Sequence, residues 1–238
     1  MKRAVIFLIL LASAPLARAV GPCSNTTIGT STAVCRISHN GSGGTTSQAI
    51  TFSTGYNAGE TIQVWAEANS TTAFSATPSV NINNSDGYSW SIAKANCAGA
   101  SQQTILYYFK VLTTNTASDT ITVTNSGGSF IIVQGAAVTN LGAVDGTGGC
   151  GSTTASFTTT IGDISFGFTV GSSGVAAGSG WVGQDGTSFS VYETQVASGT
   201  SSTATFTGTA AVSIGVPFLP ASSPVCRASV SVTGAGSC

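Results

Sequence analysis

The residues best placed to do acid–base chemistry in this chain are two glutamates. Glycoside hydrolysis needs two carboxyl groups roughly 5 to 9.5 Å apart across a sugar, and Glu67 and Glu193 are the best pair among the eight carboxylates. Glu67 stands in ETIQVWAEA, which begins at Glu60, where Gln63, Trp65 and Glu67 alternate with Ile62, Val64 and Ala66. That period of two places the first three on one face of a strand and the aliphatic residues on the other. A Gln, Trp, Glu row on an open sheet face is a platform for a sugar: the indole lies on its apolar face and the polar groups meet its hydroxyls. The competing reading makes the row an ordinary solvent face, with Trp65 covered by a loop. Gln63, Trp65 and Glu67 are therefore the candidate ligand-binding residues, and no catalytic residue is assigned.

Other chemistry finds less support. His39 is the only histidine, so any Ser-His-Asp or Cys-His arrangement would need it, and it sits in ISHNGSGG, which reads as an exposed loop. No Gly-x-Ser-x-Gly elbow, phosphate-binding loop or His-Glu-x-x-His helix occurs. Asp145-Gly146-Thr147-Gly148 shares only composition with the aspartic-protease triplet. Asn81, Asn83, Ser85 and Asp86 offer oxygens but a single carboxylate, which fits a turn with Asx bonds better than a tight calcium site. No metal site and no cofactor are expected.

The cysteines carry a different chemistry. Lys2 and Arg3 lead an apolar run from Ala4 to Leu11, and Ala17-Arg18-Ala19 closes it with the pattern that signal peptidases cut. Residues 1–19 are expected to be a cleavable signal and residues 20–238 a mature chain of about 219 residues, secreted or periplasmic, at the cell surface or outside the cell. In such an oxidising compartment Cys23, Cys35, Cys97, Cys150, Cys226 and Cys238 read as disulfide partners. Cys23 and Cys35 lie 12 apart, as do Cys226 and Cys238, which points to two terminal staples and a long Cys97–Cys150 bridge; bridges joining the termini would use the same four residues.

Positioning these groups falls to β-strands. Alternation marks strands in GYSWSIAK, QTILYYFKVL, DTITVT, SFIIVQGAAV, DISFGFTV, TSFSVYETQV, TATFTG, AAVSIGV and ASVSVT, and no window outside the signal has a helical period. Asp86-Gly87 and Asp185-Gly186 are hairpin signals. The glycine-rich stretches 41–44, 146–151 and 171–180 read as loops, the middle one as a seam between halves, and Pro217, Pro220 and Pro224 as the end of the last core strand, on an edge or exit segment. DTITVTNSGGSFIIVQGAAV and STATFTGTAAVSIGV each run as a Thr-alternating strand, a small turn and an aliphatic strand. Two such halves stacked face to face make one domain: an all-β, antiparallel β-sandwich of ten or more strands, jelly-roll or Ig-like, preceded by the signal helix.

Charge narrows the partners. Arg36, Lys94, Lys110 and Arg227 remain after cleavage against eight carboxylates, a net charge of −4. Four scattered bases do not make a phosphate-binding surface, so nucleic acid is excluded. No segment reaches the roughly 20 apolar residues of a membrane helix. Asn25, Asn40, Asn69 and Asn83 each begin an Asn-x-Ser/Thr sequon, of consequence only if the host glycosylates exported proteins.

The run from SVNINNSDGYSWSIAK through ILYYFKVL to ITVT, followed by GSGWVGQDGTSFSVYETQVASGTSSTATFTG, resembles a group of exported bacterial β-sandwich surface proteins of unassigned function. The resemblance spans roughly residues 60 to 216 and implies a fold and a location, with no reaction. Cys35 followed by ITFSTGY is similar to the first strand of disulfide-containing pilus subunits, but where those subunits carry a closing apolar strand this sequence reads VTGAGSC. The expectation is a non-catalytic surface module, adhesive, glycan-binding or assembling, whose partners are glycans, other surface proteins or further copies of itself. The alternatives are a secreted carbohydrate-active hydrolase using paired carboxylates and a structural subunit of an extracellular filament.

Overall fold

The computed structural model describes residues 26–28, 31–43, 46–75, 78–80, 89–98, 102–128, 130–186 and 190–221, with side chains from residue 46 onward except at 79–80, 95–96, 172–173, 184–186, 190 and 209–211. These residues form 16 β-strands and no helix, paired antiparallel in three sheets. The central sheet has the order β1 (Thr26–Ile28), β2 (Ser31–Gly43), β9 (Phe130–Thr139), β4 (Thr61–Ala68), β7 (Gln103–Lys110), β6 (Ser91–Ala98). A second sheet runs β10 (Leu141–Val144), β16 (Ser201–Pro220), β13 (Ile164–Ala177), β15 (Ser190–Val196), β14 (Val182–Gly186), with β11 (Gly149–Gly151) and β12 (Thr154–Thr158) also on β16. β3 (Ser47–Phe52), β8 (Asp119–Thr124) and β5 (Ser79–Val80) make the third.

Side chains of a strand alternate between faces, and here both faces of the central sheet are covered. Ile62, Val64 and Ala66 of β4 pack with Ile50 and Phe52 of β3 and Ile121 and Val123 of β8. Trp65, on the opposite face, packs with Phe166, Phe168, Tyr192, Ile214 and Phe218 of the second sheet. Every residue of β4 is buried. Gly135 of β9 permits the close approach of β3: a Cβ there would lie 2.5 Å from Ile50 Cδ1 and 2.9 Å from Phe52 Cζ.

The second sheet folds over on itself. The pairing of β13 with β16 is irregular between Val170 and Ala176, and Gly208 of β16 has φ +85°, so both long strands change direction midway. Val212, Ile214, Val216 and Phe218 then face the central sheet, whereas Ala204 and Phe206 join Phe157 of β12 in a separate cluster on the outer side. A Cβ on Gly215 would meet the Phe157 ring, which places β12 over that outer face.

Cys97 of β6 is bonded to Cys150 of β11, as the spacing predicts, and ties the central sheet to the second. Cys23, Cys226 and Cys238 and the side chain of Cys35 lie outside the described residues, as do Asp86-Gly87, Asn81, Asn83, Ser85 and the strand ASVSVT. The Asp185-Gly186 hairpin joins β14 to β15, with Asp185 and Gly186 themselves still in the ladder opposite Tyr192 and Val191.

Several local expectations give way to sheet pairing. Residues 38–43, which include His39, form strand rather than loop, because the apolar β9 supplies a complete ladder from Phe130 to Gly135 and His39 pairs with Gln134. Residues 171–177 continue β13. The two echoing segments differ in structure: β8 and β9 belong to different sheets, whereas 201–220 is one strand. Pro217 lies inside the second sheet, not at an edge. A strand residue's N–H and C=O point to the same side, and the Pro217 carbonyl accepts the Asp145 N–H at 3.0 Å. Its missing N–H therefore falls at the break between β10 and β11.

Candidate functional site

Gln63, Trp65 and Glu67 share one face of β4, as their spacing requires, but that face is internal. Their exposures are 0 %, 0 % and 4 %. The Trp65 indole lies 6.0 Å from the Phe168 ring and 4.3 Å from Tyr192. Among the described residues neither polar atom of the Gln63 amide has a partner, nor has Glu67 Oε2. Burial raises the Glu67 carboxyl well above its ordinary pKa, against a bond from the Val170 N–H that lowers it. An open sugar platform is therefore not what the row forms. The expectation assumed one dry face per sheet, and β4 has two. The signal lay in its neighbours, since QTILYYFK and FIIVQGAAV are apolar on both alternating sets, the mark of strands covered on both sides.

Glu193 is fully buried and points the other way. Tyr192 faces Trp65, so its neighbour Glu193 projects from the outer face of β15, beneath Phe157, Trp181, Ala204 and Phe206. Its partners across the ladder are Gly167 on β13 and Gly183 on β14, which leave space for the carboxyl group. Burial pushes its pKa up to about 8, opposed by bonds from the backbone N–H groups of Gly178 and Thr205. Glu67 and Glu193 thus occupy opposite faces of the second sheet and do not form a pair.

What the fold displays instead is hydroxyl groups. On β12 and the first half of β16, Thr154, Ser156, Thr158, Ser201 and Thr203 are exposed. Ser156 pairs with Thr203 and Thr158 with Ser201, and the Ser156 and Thr203 hydroxyls lie 3.0 Å apart. The third sheet repeats the arrangement on its outward face, where Ser47 pairs with Thr124 and Thr51 with Thr120, the latter hydroxyls 3.1 Å apart. Sequence reasoning noted the Thr alternation in TATFTG and DTITVT but assigned it no role.

Two further polar clusters lie elsewhere. Tyr56 Oη donates to Asp119 Oδ2 at 2.8 Å beneath the third sheet. The turn before β13 sets Asp163 beside Thr160 and Asp145: the Thr160 N–H donates to Asp163 Oδ2 at 2.6 Å and the Thr160 hydroxyl to Asp145 Oδ2 at 2.7 Å. Among the described residues no helix is long and apolar enough to cross a membrane. No family model, no curated protein and no solved structure matches this chain.

Proposed function

We propose that the chain is an exported, non-catalytic β-sandwich, jelly-roll or Ig-like, that serves as an adhesive or assembly module at a cell surface or in an extracellular matrix. The observation that carries this reading is the pair of hydroxyl ladders on the outward faces of the outer layers. Neighbouring strands set such groups about 4.8 Å apart across the sheet and about 7 Å apart along it. Each hydroxyl both donates and accepts, so the array meets sugar hydroxyls, or the same face of another copy, without a charged partner. The burial of Glu67 and Glu193, on opposite sides of the second sheet, supports binding over hydrolysis.

The test compares the mature chain with a Ser156→Lys/Thr203→Lys variant on a glycan array and in sedimentation over a range of concentrations. Expected is glycan retention or self-association that the variant loses while its melting temperature stays unchanged. Release of reducing sugar that depends on Glu67 or Glu193 would overturn the reading in favour of the hydrolase.

A further inference from the structure

One row of side chains on β15 holds the outer layer down. Val191, Glu193 and Gln195 alternate along its outward face, and each grips the layer above differently. Val191 packs in the outer cluster with Phe157, Trp181 and Phe206. Glu193 Oε2 accepts the Gly178 N–H at 3.1 Å, and its carboxyl also meets the Thr205 N–H. The Gln195 amide donates to the Gly180 carbonyl at 2.9 Å and accepts the Ser202 hydroxyl at 3.1 Å. Gly178, Gly180, Ser202 and Thr205 all belong to one unit: β12, the end of β13 from Gly174, the turn that follows it, and β16 as far as Gly208. Its apolar side chains form a cluster apart from the one between the central and second sheets. Where both long strands turn into it, Gly174 (φ +63°) lies against Gly208 (φ +85°), and a Cβ on Gly208 would be 2.3 Å from the Gly174 carbonyl oxygen. Two touching glycines in left-handed backbone make a hinge that other residues would block.

We propose that this outer layer is a lid, latched to β15 by Glu193 and hinged at Gly174 and Gly208, which opens apart from the rest of the fold as pH rises. Glu193 faces Gly167 from β13, Gly183 from β14, Phe157 from β12, Ala204 and Phe206 from β16 and Trp181 from the turn, none of them titratable. Asp185 of β14 pairs with Tyr192 instead. Two backbone N–H groups are therefore all that meets the carboxyl, and among the described residues its Oε1 has no partner. Burial holds its pKa at about 8 in the closed lid, against about 4.3 in water. Opening hydrates the group, so between these values opening releases a proton. The opening constant then rises by up to about tenfold per pH unit and levels off above pH 8. Opening uncovers Phe157, Trp181 and Phe206, and it does not depend on what the hydroxyl ladder on the lid's outer face binds.

Hydrogen exchange of the folded protein, read by mass spectrometry from about pH 5 to 9 and corrected for the pH dependence of a free amide, tests the lid in the wild type and in Glu193→Gln. The hydrogen-bonded amides of β12 and of 201–207 are expected to be less protected than those of β9 at every pH. Their protection should fall by up to about tenfold per pH unit between 5 and 8, and in Glu193→Gln that fall should vanish. The comparison of the lid with β9 needs only the wild type, so it stands even where the variant folds poorly. Equal protection of the two would show that the layer opens only with the whole chain and overturn the proposal. Lid protection that is independent of pH in the wild type, or that falls as steeply in Glu193→Gln, would overturn it as well.

Discussion

The Tyr192 ring lies 4.3 Å, centroid to centroid, from the Trp65 indole, and this contact fastens β15 of the second sheet to β4 of the central one. It also orients everything around it: Tyr192 facing inward obliges Glu193 to face outward. Trp65→Ala removes the largest fully buried side chain among the described residues. Stability should fall by about 3 to 5 kcal/mol in urea unfolding. A loss below about 1 kcal/mol would return Trp65 to the surface.

Glu193 predicts a pH dependence. Its folded pKa of about 8 lies above the unfolded value near 4.3, so between these values the folded state holds a proton that the unfolded state has lost. Stability should therefore fall as pH rises from about 4.5 to 8, by up to about 1.4 kcal/mol per pH unit, and level off above 8. Glu67 acts in the same direction. Glu193→Gln should flatten the slope, measured as urea midpoints from pH 5 to 9. An unchanged slope in that variant would mean the carboxyl is already ionised in the fold.

The Cys97–Cys150 bridge closes a loop of 53 residues. By chain entropy its removal, as Cys97→Ala/Cys150→Ala, should cost about 4 kcal/mol and still leave the sheets assembled. Denaturant unfolding of the double variant gives the cost directly, and near-ultraviolet circular dichroism checks the packing.

Gly135→Ala tests the seat of the third sheet. Its Cβ would press on Ile50 and Phe52, and overpacking of this kind costs about 1 to 3 kcal/mol. A neutral substitution would show that β3 does not lie against β9.

The sheets share clusters that none could bury alone, so the chain should unfold in one transition. Two resolved calorimetric peaks, or a stable fragment ending near Gly148, would instead mark two domains.

Alternation along each strand was legible from the residues alone. Ile62, Val64 and Ala66 share one face and Gln63, Trp65 and Glu67 the other, and Phe166, Phe168 and Val170 form a single apolar row. The Cys97–Cys150 bridge, expected once the cysteines 12 apart at each end are paired with each other, is present. Strand alternation is a property of backbone geometry, which a window of ten residues contains. What covers each face is not such a property. Whether Trp65 meets water or Tyr192 depends on the apolar area that β13, β15 and β16 bring to it, from residues 164 to 220, and the free energy of that burial belongs to the assembled layers. The same holds for polar groups. Glu67 and Glu193 look alike in sequence and were separated by the sheet between them, whereas Asp145 and Asp163, which nothing in the sequence associates, were joined because both flank β16. Strand alternation follows from the chain's own stereochemistry; the number of layers, and so the fate of every outward face, follows only from the packing of distant strands.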